Sequence, residues 1–226
     1  MITYKIHLIR HGLTKANFEG RYVGQKTDIE LCDEGKENLK KLFLEKEYPL
    51  IQKLYVSPML RARETADILY PDTYTEVVDN LKEYDFGDFE NKTIAEIKDT
   101  EDFKNFIESQ NGVSIAPNGE KTTDFNARCV AAFEHVFKDM MENGITNTAI
   151  ITHGGVIMSI LSQLSLPRKS FYNWATDAGK GYTVVLTPAL WQRDEGFEVY
   201  CEVPYPLYEE NFDMQGNDNF DDNEID

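Results

Sequence analysis

Twice in this 226-residue chain an apolar stretch runs into a histidine and a glycine and then into a helical pattern: "HLIRHG" around His11 and "AIITHGG" around His153. Apolar runs of strand length, followed by glycine and a 3.6-residue period, read as strand, turn and helix. A third segment, "LYVSPMLRARETA", repeats the plan with Ser57-Pro58 at the turn and Arg61 just inside the helix. Strands alternating with helices point to an α/β layer fold on a mainly parallel sheet. In such sheets ligands collect at the carboxyl ends of the strands, where the N–H groups of helix N-termini favour anions. Arg10, His11, Arg61 and His153 can therefore converge on one anion, and a planar guanidinium at Arg61 suits bidentate phosphate binding. Each residue taken singly has a plainer reading. A histidine at a strand end is more often a hydrogen-bonded structural residue, and Arg61 alone could lie on the surface of its helix. Their joint placement is what points to chemistry.

Along the rest of the chain, periodicity predicts a helix over 34–47 with Leu39, Leu42 and Phe43 on its apolar side. Another helix follows Pro58, with Ala62, Ala66 and Leu69 inward and Pro71 ending it. A short strand is expected over 76–79, then an irregular acidic insertion over 84–123 carrying one small helix over 94–107. Phe125, Cys129, Phe133, Val136, Phe137 and Met140 mark a long amphipathic helix stopped near Gly144. "GYTVVLTP" reads as a buried strand, and 197–203 alternates as a half-exposed strand near an edge, where the sheet is expected to turn antiparallel. The expected organisation is one domain over 1–208 and an acidic tail over 209–226.

Composition narrows the function. The chain is 41% hydrophobic and 28% charged, as soluble globular proteins are. No stretch approaches the roughly 18 apolar residues of a membrane span. The start "MITYKIHLI" lacks the features of a signal peptide, so a cytoplasmic protein with no membrane partner is expected. Three scattered cysteines suggest neither a disulfide framework nor a zinc site; Cys129 and Cys201 fall on apolar stripes and are expected in the core. The net charge is −17, and Glu209 to Asp226 holds eight acids and no Lys or Arg. Such a surface repels nucleic acid. The tail composition is that of a loosely attached, solvated end.

The chain resembles the histidine phosphatase superfamily, also called phosphoglycerate mutase-like. The resemblance is carried by "RHGLTKAN" at 10–17, "SPMLRARETA" at 57–66, "LKEYDFGDFE" at 81–90 and "THGG" at 152–155, in that order. Weaker agreement comes from "RYVGQKTDIELCDEG" at 21–35 and "NGEKTTDFNAR" at 118–128. Arg-His-Gly alone is a short string; the ordered set is specific. The family's fold is a three-layer α/β/α sandwich around a mostly parallel sheet. The resemblance implies that His11 attacks phosphorus to form a phosphohistidine, its other ring nitrogen being fixed by a hydrogen bond to nearby backbone. It implies that Arg10, Arg61 and His153 hold the phosphate oxygens, that Asn17 and Thr14 add neutral donors, and that neither metal nor cofactor takes part. An acid must protonate the leaving alkoxide. Glu83, Asp85, Asp88 and Glu90 crowd one stretch, and the residues alone do not choose among them; the resemblance selects Glu83, with Asp85 next. Gly12 is expected to let backbone approach the phosphate.

Three departures refine the reading. Leu13 stands where mutases and many phosphatases of the family carry Glu. The stretch 84–123 is short and lacks the paired arginines and consecutive prolines of the cofactor-dependent mutases. Asn91 stands where glycine is commoner. The block "YDFGDFENKTIAEI" is more similar to that of the small-molecule phosphatases, which include alpha-ribazole phosphatase and fructose-2,6-bisphosphatase-like enzymes. The expected activity is hydrolysis of a small phosphorylated metabolite. The alternatives are a mutase-type phosphotransferase and a phosphate-binding regulatory module with little turnover. Phe18, Tyr22, Phe86 and Phe89 could stack on a substrate or simply pack the insertion.

Overall fold

The structure is a computed structural model that describes residues 2–108 and 114–207. The expected tail at 209–226 lies outside the described residues. The chain opens with β1 (Tyr4–Arg10), α1 (Lys15–Phe18) and α2 (Asp33–Glu45), then β2 (Lys46–Glu47), β3 (Lys53–Val56), α3 (Leu60–Leu69) and β4 (Thr75–Val77). The insertion holds α4 (Ile94–Ile97) and α5 (Glu101–Ile107). Next come α6 (Thr122–Asn143), β5 (Asn147–Thr152), α7 (Gly154–Leu164) and β6 (Ser165–Leu166). The chain closes with β7 (Gly181–Leu186), α8 (Pro188–Asp194), β8 (Phe197–Val203) and β9 (Tyr205–Pro206).

Seven strands form one sheet in the order β4-β3-β5-β1-β7-β8-β6. The β4–β3, β3–β5, β5–β1 and β6–β8 pairs are parallel, whereas β7 runs antiparallel to both β1 and β8. The sheet is therefore mixed and mostly parallel. The antiparallel strand is β7, fifth of seven rather than at the edge where it was expected, because β8 and the two-residue β6 both lie outside it. A period-2 pattern shows how residues sort, not which strand lies beside which.

Alternation along the central strands divides the core in two. Ile6 and Leu8 of β1, Tyr55 of β3 and Ile150 of β5 pack with the α6 and α7 side chains, among them Phe133, Phe137, Val156 and Ile160. Ile9, Leu54, Val56, Ala149 and Ile151 face the other way, against Leu39 of α2 and Ala62, Ala66 and Leu69 of α3. Helices thus cover both faces, giving the three layers. The α6 helix ends as its sequence predicts, with Gly144 left-handed at φ 67°. No helix among the described residues is long and apolar enough to cross a membrane.

Four expectations change in detail. The helix over 94–107 is two helices, because Thr93 and Thr100 each cap a new start by accepting from the N–H three residues on. Phe43 is about half exposed, and α2 stops at Glu45 because Lys46 turns extended to pair with Pro206. Cys129 is buried, whereas Cys201 is only partly so, lying in a strand next to the edge. The short strand expected over 76–79 forms over Thr75–Val77.

Candidate active site

The register of the central strands brings the polar residues together. Arg10 lies level with Thr152, and Val56 with Ile151. Beyond those positions His11 N donates to Thr152 O (2.9 Å) and Ser57 N to Ile151 O (3.0 Å), so three chain segments leave the sheet side by side. The rings of His11 and His153 stand 5.1 Å apart between centroids.

His11 is buried, and its Nδ1 lies 2.6 Å from Gly12 O. A carbonyl only accepts, so Nδ1 carries the proton and Nε2 carries the lone pair. Arg61 Nε donates to that Nε2 at 3.3 Å. Burial first, then the charge of Arg61, holds the His11 pKa well below the usual imidazole value. The expectation of a neutral ring fixed through backbone is matched by this geometry.

Arg61 is 1% exposed. Its other donors hold the loop between α1 and α2: Nη1 bonds Thr27 O (3.0 Å) and Nη2 bonds Gly24 O (3.2 Å). Burial lowers its pKa, opposed by the charges of Glu83, Asp28 and Glu90. Thr65, one helical turn on, ties Arg61 to the strand end by donating to Arg61 O (2.7 Å) and accepting from Gly12 N (2.9 Å). Glu90 holds the same loop, accepting from Gly24 N (3.0 Å) and the Thr27 hydroxyl (2.5 Å).

His153 occupies the position just before α7. Its Nε2 lies 2.7 Å from Ser57 Oγ, which already accepts weakly from Met59 N (3.4 Å). When the Ser57 hydroxyl donates to Nε2, the ring's own proton sits on Nδ1. Burial and the charge of Arg61 hold this ring neutral too. His153 Nδ1 and Arg10 Nε are buried nitrogens with no hydrogen-bond partner among the described residues. Arg10 is anchored by Nη1 to Thr176 O (2.7 Å). The unpartnered Arg10 N–H and a His153 Nδ1 that can carry a proton, beside a neutral imidazole and a buried guanidinium, suit an anionic oxygen cluster.

Glu83 reaches the same region from the insertion side. Its Oε1 accepts from Tyr84 N (2.9 Å) and its Oε2 from Gly155 N (3.0 Å) at the start of α7. A Cβ on Gly155 would stand 2.4 Å from Glu83 Oε1, so only glycine admits the carboxyl there. Asp85 turns away to Gly87 N (2.8 Å) and Lys26 (3.1 Å), Asp88 to Asn118 (2.9 Å), and Glu90 to the Gly24–Thr27 loop. Of the four acids, Glu83 alone meets the second His-Gly turn.

A Cβ on Gly12 would lie 2.6 Å from Leu39 Cδ1, so packing against α2 itself favours glycine there. The Thr14 hydroxyl donates to Asn17 Oδ1 (3.0 Å) and caps α1, so of that pair the end left for a ligand is Asn17 Nδ2. Tyr22 and Phe86 pack on each other (4.9 Å between centroids) and Phe89 is buried, so these rings build the insertion. Phe18 is exposed. Asn91 takes φ 61°, the left-handed turn that glycine otherwise serves and asparagine tolerates. Leu13 lines a cavity of about 480 Å³ with Arg10, Leu39, Leu42, Lys41 and Lys180; neither His11 nor Glu83 borders it. Sequence reasoning missed Ser57, Thr65, Glu90 and Arg128 as supports. Ser57 and Thr65 sit inside "SPMLRARETA", two hydroxyls on a segment that already carries Arg61, and this was the available signal.

Two histidines and two arginines thus meet at one end of the α/β sheet. The chain belongs to the histidine phosphatase superfamily (branch 1), which residues 6–194 match. Among curated relatives it is 28% identical over 170 residues to a broad-specificity phosphatase of Saccharomyces cerevisiae, covering 71% of this chain and 70% of that one. It is 25% identical over 186 residues to the adenosylcobalamin/alpha-ribazole phosphatase of Escherichia coli, covering 77% and 86%. A metal-independent phosphoserine phosphatase of Arabidopsis thaliana is 29% identical over 170 residues, covering 71% and 68%. Solved structures share the fold. The alpha-ribazole phosphatase from Shigella flexneri superposes with a TM-score of 0.70 at 23% identity, over 81% of this chain and 91% of that one. A phosphoglycerate mutase from Bacillus anthracis gives 0.68 at 18% identity, over 88% and 92%.

Proposed function

We propose that the protein is a metal-independent phosphomonoesterase that hydrolyses a small phosphorylated metabolite through a phosphohistidine. The observation that carries this reading is the state of His11: neutral, protonated at Nδ1 by its bond to Gly12 O, with the Nε2 lone pair directed to Arg61. An arriving phosphate monoester takes the place of that lone-pair contact. Nε2 attacks phosphorus, the bond from phosphorus to the ester oxygen breaks, and the alcohol leaves with a proton from Glu83. Water then attacks phosphorus, giving its proton to the Glu83 carboxylate, and the P–N bond breaks with its electron pair returning to Nε2, releasing inorganic phosphate and neutral His11.

Arg10, Arg61 and His153 hold the phosphate oxygens, with donors placed before charge shifts onto the transferring group. Asn17 Nδ2 adds a neutral donor, oriented by Thr14. Positive charge in the clamp keeps His11 unprotonated and therefore nucleophilic. His11→Ala is expected to abolish hydrolysis of p-nitrophenyl phosphate while leaving the circular dichroism spectrum unchanged, and EDTA is expected to leave the wild type active. Wild-type turnover by His11→Ala refutes the mechanism. Assaying 3-phosphoglycerate conversion with and without 2,3-bisphosphoglycerate separates a hydrolase from a mutase.

A further inference from the structure

The segment that carries Glu83 is gripped from behind by one side chain. Arg128, in the first turns of α6, sends Nη1 to Asn80 O (3.0 Å) and Lys82 O (2.6 Å), and Nη2 to Glu83 O (2.8 Å). Its Nε and Nη2 complete a two-point pair with Glu120, at 2.7 and 2.9 Å. Those contacts use all five guanidinium donors. The guanidinium also lies over the Phe125 ring, 4.9 Å from its centroid. Glu120 is itself laced to the far side of the same segment: its N donates to Asp85 O (3.0 Å), its carboxylate accepts from Asp85 N (3.4 Å), and its carbonyl accepts from the Tyr84 hydroxyl.

We infer that Arg128, held in plane by Glu120, is the positioning residue that sets where the Glu83 carboxyl stands against the leaving group. The inference rests on reading Glu83 as the proton donor. Three carbonyls within four residues, all bound to one rigid fork, leave the backbone at 80–83 little freedom to slide. The Glu83 side chain is then fixed from the front by Tyr84 N and Gly155 N. Lysine keeps the charge but presents a single flexible ammonium, which cannot reproduce the fork. Displacing an acid by about 1 Å costs on the order of a hundredfold in the step that needs it. In the phosphorylation step, which kcat/KM reports, the effect is confined to leaving groups that require protonation; the later attack of water is common to all esters and does not enter kcat/KM.

Phenyl phosphate and p-nitrophenyl phosphate share a ring and differ in how much their leaving oxygens need a proton. Arg128→Lys is expected to lose roughly 10- to 100-fold in kcat/KM on phenyl phosphate while changing little in kcat/KM on p-nitrophenyl phosphate. Glu120→Gln, which loosens the fork without touching the 80–83 carbonyls, is expected to show the same split more weakly. It carries the test if Arg128→Lys does not fold. Adding Arg128→Lys to Glu83→Gln should cost nothing further on phenyl phosphate, because the group being positioned is gone. Equal losses on the two esters in both variants overturn the inference, as does a full additional loss in the double variant. A Glu83→Gln enzyme that treats the two esters alike faults the assignment of Glu83 itself, and is distinguished by appearing without any substitution at Arg128.

Discussion

Replacing Arg61 with methionine separates what this residue does for chemistry from what it does for the fold. The guanidinium is buried and, among the described residues, has no carboxylate in hydrogen-bond contact; its partners there are two loop carbonyls and the His11 lone pair. Removing the charge recovers a desolvation penalty of several kcal/mol. It also forfeits charge-assisted bonds to Thr27 O and Gly24 O, about 1.5–3 kcal/mol each. Met is unbranched and close in length, so the cavity cost is small. These contributions nearly cancel, and Arg61→Met is expected to unfold within about 2 kcal/mol of the wild type. Ligand response should differ sharply. Inorganic phosphate at a hundred times its Kd stabilises the wild type by about 2.7 kcal/mol, which is roughly 5–10 °C in Tm for a domain of this size. The variant should show almost none of that shift, and its kcat on p-nitrophenyl phosphate should fall on the order of 100- to 1,000-fold. Thermal scans with and without phosphate decide it. An Arg61→Met protein that phosphate stabilises as fully as the wild type refutes the reasoning, and so does a loss of stability beyond about 4 kcal/mol.

Gly155→Ala should displace the Glu83 carboxyl, since the new Cβ would stand 2.4 Å from Oε1; kcat/KM on phenyl phosphate should drop ~10- to 100-fold with kcat/KM on p-nitrophenyl phosphate nearly unaffected. Three histidines are held neutral by burial: His7, whose pKa is pulled down to about 4, and His11 and His153, both well below 6.5. The unfolded chain takes these protons near pH 6.5 and the native state does not. Stability is therefore full above 6.5 and falls as pH drops, by about 1.4 kcal/mol per pH unit per histidine, until each native pKa is reached. Urea midpoints at pH 7, 6 and 5 read this slope, and a flat profile contradicts it. For the same reason kcat/KM should show no protonation of the nucleophile near pH 6.5; an acid limb centred there that vanishes in His153→Asn rather than persisting would reassign it to the second ring.

Much of the site was legible because strand ends impose their own geometry. Once β1, β3 and β5 are read as neighbouring parallel strands, Arg10-His11, Ser57 and His153 must emerge together, and Arg61 follows within a turn of its helix. The protonation states of His11 and His153 were half legible: a backbone partner could be expected for His11, but the Ser57 contact to His153 spans 96 residues. The supports at Glu90 and Arg128 act on loops 66 and 45 residues away, and nothing local to either marks that role. Thr14 shows the opposite failure. A hydroxyl beside the motif looked like a ligand donor, but the start of α1 has an orphan N–H that a threonine cap satisfies, and that local demand prevails. Strand order escaped for a different reason, since the alternation of β7 is the same whichever way the strand runs.

The claim at the centre is that His11 Nε2 forms the bond to phosphorus. Mixing enzyme with p-nitrophenyl phosphate, quenching within milliseconds into alkali and analysing the peptides by mass spectrometry and phosphorus NMR tests it directly. One phosphate per chain on Nε2 of His11, stable in base, labile in acid and absent from His11→Ala, is the predicted result. Turnover at the wild-type rate with no phosphorylated histidine, or with phosphate on Nδ1 or on another residue, would contradict it.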